Sequence, residues 1–209
     1  PKWLDIARHF LITRADVAVV AGRLSEKFPQ ASVYNLLCDI EWSGLPGEAK
    51  MCGGLAMMRV HPFKLVNGFN PKLICGEEPE LCSRLRTLGY QIWRLEDDMA
   101  SHDANMLRIS QWWVRAVRAG YNDAQALAID SAPPDRRGLR SSLSSWVWGA
   151  GLPLCCVLAE MQWKYSGLAL LLAYPVQVLR LVMRGTRSTR ENCWYALFLV
   201  LGKFPELQG

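Results

Sequence analysis

Two uncharged runs toward the C-terminal end constrain this chain most: Trp146 to Ala159 and Tyr165 to Leu179, with Glu160 and Lys164 as the charges between them. Runs of this kind must be buried, either in a protein core or in lipid. Each is shorter than the roughly 20 apolar residues of an ordinary spanning helix, for which about 17 is the lower limit. Polar ends and snorkelling Arg180 and Arg184 extend the usable length. Arg136, Arg137 and Arg140 precede the pair, and Arg180, Arg184, Arg187 and Arg190 follow it, the asymmetry expected when both flanks stay cytoplasmic. Trp146, Trp148 and Trp163 cluster at the run ends, as interfacial aromatics do. The pattern predicts a helical membrane hairpin in the inner (cytoplasmic) membrane with the rest of the chain cytoplasmic. The alternative is a soluble helical subdomain with buried faces. Cys193 to Gly202 is too short to span and is expected to lie in the interface or to re-enter partway.

Composition narrows the remainder. Hydrophobic residues make up 51% and charged residues 21%, and 24 Lys and Arg against 19 Asp and Glu give a net charge of +5. A disordered tail, a collagenous repeat and a charge-driven nucleic-acid arm are excluded. The seven cysteines include no Cys-x-x-Cys pair, which disfavours a zinc ribbon or a redox dithiol and suits reduced thiols. Pro1-Lys2-Trp3 shows neither a starting Met nor a leader pattern, so the chain reads as a piece of something longer.

Periodicity predicts helix over residues 2 to 14, a buried strand at Val17 to Ala21, and helix over Ala31 to Trp42. An apolar segment from Met51 to Val60 is interrupted by Gly53-Gly54, and a helix from Glu78 to Leu88 is stopped by Gly89. Gln91 to Leu95 returns as strand and Asn105 to Gly120 as helix. Strands alternating with helices argue an α/β layer. The boundaries expected are 1–130 for the α/β part, 131–145 for a basic linker around Pro133-Pro134-Asp135, and 146–209 for the hydrophobic tail.

Three groups could carry chemistry. Gly76-Glu77-Glu78-Pro79-Glu80-Leu81 is an acidic helix start, which either satisfies free backbone N–H groups and the helix dipole or holds a general base for a hydroxyl nucleophile. Cys52-Gly53-Gly54 permits close approach of backbone to a ligand or an ordinary turn. His102-Asp103, after Asp97-Asp98, could meet a metal or a phosphate, or lie on the surface.

The series Gly-Gly-x-Ala-Met-Met-Arg from Gly53, Phe-x-x-Val-Asn-Gly-Phe-Asn from Phe63, Gly-Glu-Glu-x-Glu-Leu-x-x-Arg-Leu from Gly76, Gly-Tyr-x-Ile-Trp-Arg-Leu from Gly89, and His102-Asp103 resembles the second half of a family 2 glycosyltransferase over about residues 1 to 125. The resemblance implies the C-terminal portion of a GT-A type, Rossmann-like mixed sheet with flanking helices, followed by the membrane hairpin. It implies an inverting enzyme that moves a sugar from a nucleotide-sugar donor to a saccharide or lipid-linked acceptor hydroxyl in polysaccharide or glycolipid synthesis, with no nucleic-acid partner. Glu78 is then the catalytic base, His102 a ligand of divalent Mg or Mn with Asp103 an adjacent contributor, and Gly53, Gly54, Glu77, Gln111 and Arg115 substrate-binding. Gln111 and Arg115 match the family's Gln-x-x-Arg-Trp element only loosely, with altered spacing. The family's donor-binding Asp-x-Asp has no counterpart, since Asp97-Asp98 follows the acidic helix, so the resemblance implies N-terminal truncation. The competing reading is a noncatalytic, membrane-associated scaffold that retains a partial glycosyltransferase core.

Overall fold

A computed structural model describes residues 2–128 and 136–209. Pro1 and the Pro133-Pro134-Asp135 part of the expected linker lie outside the described residues. Helix α1 (Lys2–Thr13) leads into strand β1 (Val17–Glu26), then α2 (Val33–Trp42), β2 (Gly47–Ala49), β3 (Met57–Met58), α3 (Val60–Leu65), α4 (Glu77–Thr87) and β4 (Gln91–His102). The sheet order is β2-β4-β1-β3. β1 and β4 run parallel from Val17↔Gln91 to Glu26↔His102, and the outer pairings are antiparallel. The architecture is therefore a mixed sheet with flanking helices. The expected strand at Gln91 extends well past Leu95 because β1 offers it a partner along the whole length.

β1 is apolar without alternation because it is covered on both faces. Leu81 and Leu85 of α4 pack with Val19 and Ile92 on one side. Trp3, Ala7 and Leu11 of α1 pack with Val17, Val20 and Leu95 on the other. Two arginines of the recognised series are structural clamps. Arg59 donates from Nε to the Val17 carbonyl at 2.8 Å and from its Nη2 to the carbonyls of Leu11 and Arg14, which fastens the end of α1 to the sheet. Arg84 forms a 2.6 Å ion pair with Glu80 one turn earlier and donates to the carbonyls of Val66 and Gly68, fixing the turn ahead of α4.

Helix α5 (Ile109–Ala128) follows the sheet. The described part of the expected linker is helical: α6 (Arg136–Trp146) continues through a π-helical turn, Val147–Gly151, into α7 (Leu152–Gln162). Gly138–Gln162 is thus a 25-residue helix with mean hydropathy 1.4 and 11% of its apolar window buried, long and apolar enough to cross a membrane. Glu160 accepts from the backbone N–H of Tyr165 and Gly167 at 3.0 and 3.1 Å, capping the reversal, so the charge between the apolar runs belongs to the turn. The return arm, α8 (Ser166–Leu171) and α9 (Ala173–Val182), is the shorter apolar stretch Ser166–Val182.

α10 (Thr189–Leu201) and α11 (Lys203–Glu206) close the described fold. The expectation that Cys193 to Gly202 sits in the interface or re-enters is answered differently on one side of the helix. Ala196 and Val200 of α10 are buried, and Phe198 meets Trp112 edge-on at 4.9 Å and Tyr34 at 5.6 Å. Arg187 reaches Asp39 of α2 at 2.8 Å. The aromatic face docks on α2 and α5 because those helices leave Leu37 and Trp112 uncovered otherwise.

Glu80 and Arg84 are 14% and 17% exposed, so their pair is shielded enough to matter, unlike a surface pair. Arg84→Ala should cost about 1–3 kcal/mol by leaving Glu80 and two carbonyls unpaired, which thermal denaturation reads as a fall in Tm of several degrees. An unchanged Tm would show that the clamp contributes nothing.

Candidate active site

The acidic helix start is built on Gly76. Its φ of 76° is left-handed, and a Cβ there would fall 1.8 Å from Oδ1 of Asn122 on α5. Glycine is thus required both by backbone conformation and by the approach of α5. Beyond it, Glu77 and Glu78 are half-buried in the first turn of α4.

The register places this turn. α4 returns through Gly89 to Gln91 beside Val17, so its C-terminal end lies at the beginning of β1 and its acidic start lies toward the opposite end. β3 pairs antiparallel with β1 through Val20↔Met57 and Val19↔Met58, so the preceding Gly53-Gly54 segment also extends toward the carboxyl end of β1. A Cβ on Gly54 would lie 3.3 Å from Oε1 of Glu78, whereas one on Gly53 would meet nothing within 4 Å. Sequence positions 54 and 78 therefore form one spot, at the strand-end region where open α/β sheets bind ligands.

Cys52 and Cys82 touch through their sulfurs at 3.6 Å beneath this spot. That contact and burial push the Cys52 thiol up, with the Glu78 carboxylate adding to the effect. Burial and Glu77 push the Cys75 thiol up, while the Arg118 guanidinium on α5 acts the other way. Arg118 and Asn122 are thus the α5 residues beside the acidic turn, and sequence reasoning missed both.

The structure puts Gln111 and Arg115 elsewhere. The Gln111 carboxamide accepts from the N–H of Leu107 and Arg108 at 2.8 and 2.9 Å and donates to the Asn105 carbonyl, which caps the start of α5. Arg115 pairs with Glu41 of α2 at 2.7 Å, on the side that receives α10. Helical spacing sets Arg118 three residues from Arg115, but nothing in the sequence selects the one over the other.

His102 ends β4, exposed, with its ring edge-on to Trp42 at 5.0 Å. The polar group expected around it disperses: Asp98 pairs with Arg23 at 2.6 Å, and Asp103 accepts from the Asn105 N–H at 2.9 Å. Among the described residues, no three His, Cys, Asp or Glu side chains gather as a metal-holding group. A divalent ion at His102 needs donors that the described residues do not bring to it.

Fold and geometry together give a mixed α/β sheet with the Glu78 carboxylate beside the Gly54 backbone near the carboxyl end of its parallel strands. Residues 38–108 match the family model described as N-terminal domain of galactosyltransferase, which supports a glycosyltransferase domain in this chain. The matched segment contains Gly53, Gly54, Glu77, Glu78 and His102. Comparison with curated proteins and with solved structures gave no match.

The glycines separate backbone tolerance from site geometry. Gly54→Ala should displace the Glu78 carboxylate by a few tenths of an ångström. Gly53→Ala should leave the Glu78 carboxylate in place and stability within about 0.5 kcal/mol, as its Cβ meets no protein atom within 4 Å. Crystal structures of the two variants read the difference, and a Glu78 carboxylate displaced equally in both, or in neither, would break the link between Gly54 and Glu78.

Proposed function

We propose that this chain carries the acceptor side of an inverting glycosyltransferase of family 2 type, moving a sugar from a nucleotide-sugar donor to an acceptor hydroxyl in polysaccharide or glycolipid synthesis. The observation that carries the reading is the Glu78 carboxylate set against the Gly54 backbone at the carboxyl end of the parallel strands, inside the segment that matches the galactosyltransferase model.

The chemistry assigns roles to this chain's residues. The acceptor oxygen forms a bond to the anomeric carbon as the bond to the diphosphate oxygen breaks, and the hydroxyl proton passes to Glu78. The glycine pair lets a sugar ring approach the backbone beside that carboxylate. Glu77 offers a second carboxylate to hydroxyl groups of the acceptor. An acidic turn repels a diphosphate, so Glu78 faces the acceptor, and the leaving group departs on the opposite face of the sugar, away from the acidic turn.

Glu78→Gln keeps size and hydrogen bonding but removes the proton acceptor. Turnover of a nucleotide-sugar panel, with nucleotide-galactose tried first, should fall by roughly 100-fold to 10,000-fold in the intact protein, with little change in donor KM. Stability should drop by no more than ~1 kcal/mol from the lost dipole interaction. Glu80→Gln is not a clean control because Glu80 holds Arg84. Undiminished turnover in Glu78→Gln would remove the base assignment, and no turnover with any donor would favour the noncatalytic scaffold.

The helix Gly138–Gln162 supports attachment of the domain to the cytoplasmic membrane, beside a membrane-held acceptor. The protein should sediment with membranes and stay there through high-salt and carbonate washes, because screening weakens surface charge but not apolar burial. Recovery in the washed soluble fraction would contradict this attachment.

A further inference from the structure

Behind the docked face of α10 lies an apolar groove of about 610 Å³ between α9 and α10. Pro175, Val178 and Leu179 form one wall, and Cys193, Leu197 and Leu201 the other. It runs from Val182 and Cys193, where the two antiparallel helices are joined, to Tyr174 and Phe204. Cys193 to Leu201, the last residue of α10, is eight helical steps, about 12 Å at 1.5 Å per residue, and Phe204 of α11 extends the wall past Gly202. One leaflet of a bilayer has a hydrocarbon depth of about 15 Å, half the ~30 Å core.

Each end points to the same occupant. At the far end Tyr174 stacks with Phe204 at 6.1 Å and donates its hydroxyl proton to the Trp148 carbonyl at 2.6 Å, which makes the groove continuous with the candidate spanning helix Gly138–Gln162. At the joined end stand Arg184 and Arg190, both exposed and neither ion-paired with any described residue. Arg190 continues the α10 stripe of Cys193, Leu197 and Leu201 at helical spacing and also borders a recess that α10 forms with Gln30 and Val33. The nearby carboxylates are already engaged: Glu191 caps α10 through Ser188 and meets Arg187, and Asp39 holds Arg187. A cation in the first turn of a helix is opposed by the dipole, so Arg190 without a counter-anion is unfavourable where it stands.

We propose that this groove binds one anionic phospholipid of the bilayer, with an acyl chain along α9 and α10 and its phosphate on Arg184 and Arg190. The proposal rests on the membrane attachment of the tail. The bound lipid holds α9 and α10 against the bilayer, and α10 in turn holds α2 and α5 through Phe198, so the lipid ties the α/β domain to the membrane.

The test uses the intact protein in mild detergent, with native mass spectrometry against phosphatidylglycerol and phosphatidylcholine, and flotation with phosphatidylcholine vesicles in parallel. The wild type should retain one phosphatidylglycerol in preference to phosphatidylcholine by about fivefold or more, the worth of roughly one cation near a phosphate. The double variant Arg184→Gln/Arg190→Gln should lose that preference, Leu197→Trp should fill the groove and lose both lipids, and Arg8→Gln on the exposed face of α1 should behave as wild type. All variants should still float with phosphatidylcholine vesicles. Preference retained in the double variant, or lipid retained in Leu197→Trp, would overturn the proposal while leaving the membrane reading standing. Failure of the wild type to float would overturn the membrane reading and the proposal together.

Discussion

Glu26 ends β1 as a carboxylate only 4% exposed, and the arrangement at that end of the sheet depends on it. Its oxygens accept from the Phe28 N–H at 3.0 Å, the Asn35 side chain at 3.2 Å and the Ala104 N–H at 2.9 Å. Asn35 in turn accepts from the Met106 N–H, and Asp39 accepts from the Glu26 N–H while pairing with Arg187. A buried carboxylate is tolerated only when its lone pairs are satisfied, and here the donors come from the segments after β1 and after β4 and from α2. One residue thus ties the parallel strands, the exit toward α5 and the docked tail together. Truncating it would strand several donors at about 1–3 kcal/mol each.

The acidic turn takes its place from contacts of its own. Gly76 sets the start of α4 against Asn122, and the Glu80–Arg84 clamp fixes the preceding turn. Glu78 is left over Gly54, with Arg118 on the neighbouring helix. The three glutamates of one helical turn therefore divide their work. Glu80 is spent on the ion pair with Arg84, Glu77 lies beside Cys75, and Glu78 is the carboxylate beside the glycine segment.

The elements were legible where periodicity and burial agree: α1, the buried run of β1, α2 and α4 stand within a residue or two of their sequence expectation. The far half of β4 was not, because Asp97, Asp98 and His102 read as loop chemistry until a parallel partner supplies their backbone hydrogen bonds. The meeting of Gly54 with Glu78 was implied only by resemblance. Gln111 and Arg115 read as binding residues only through their loose likeness to the Gln-x-x-Arg-Trp element, and the structure places them in a helix cap and a cross-helix ion pair. Glu26 and Arg118 carried no local signal: one looks like a strand-end surface charge, the other like one more arginine on an amphipathic helix. The docking of α10 was equally hidden, since its sequence is apolar all round and burial against protein or lipid reads alike.

The central claim is that sugar transfer takes place between the Gly53-Gly54 segment and the first turn of α4. Hydrogen–deuterium exchange on the intact protein, with and without a turned-over nucleotide-sugar and acceptor, tests it most directly. The account predicts slowed exchange confined chiefly to residues 52–56 and 76–82, with no comparable change along α9. Protection that appears elsewhere and leaves both segments untouched would contradict it.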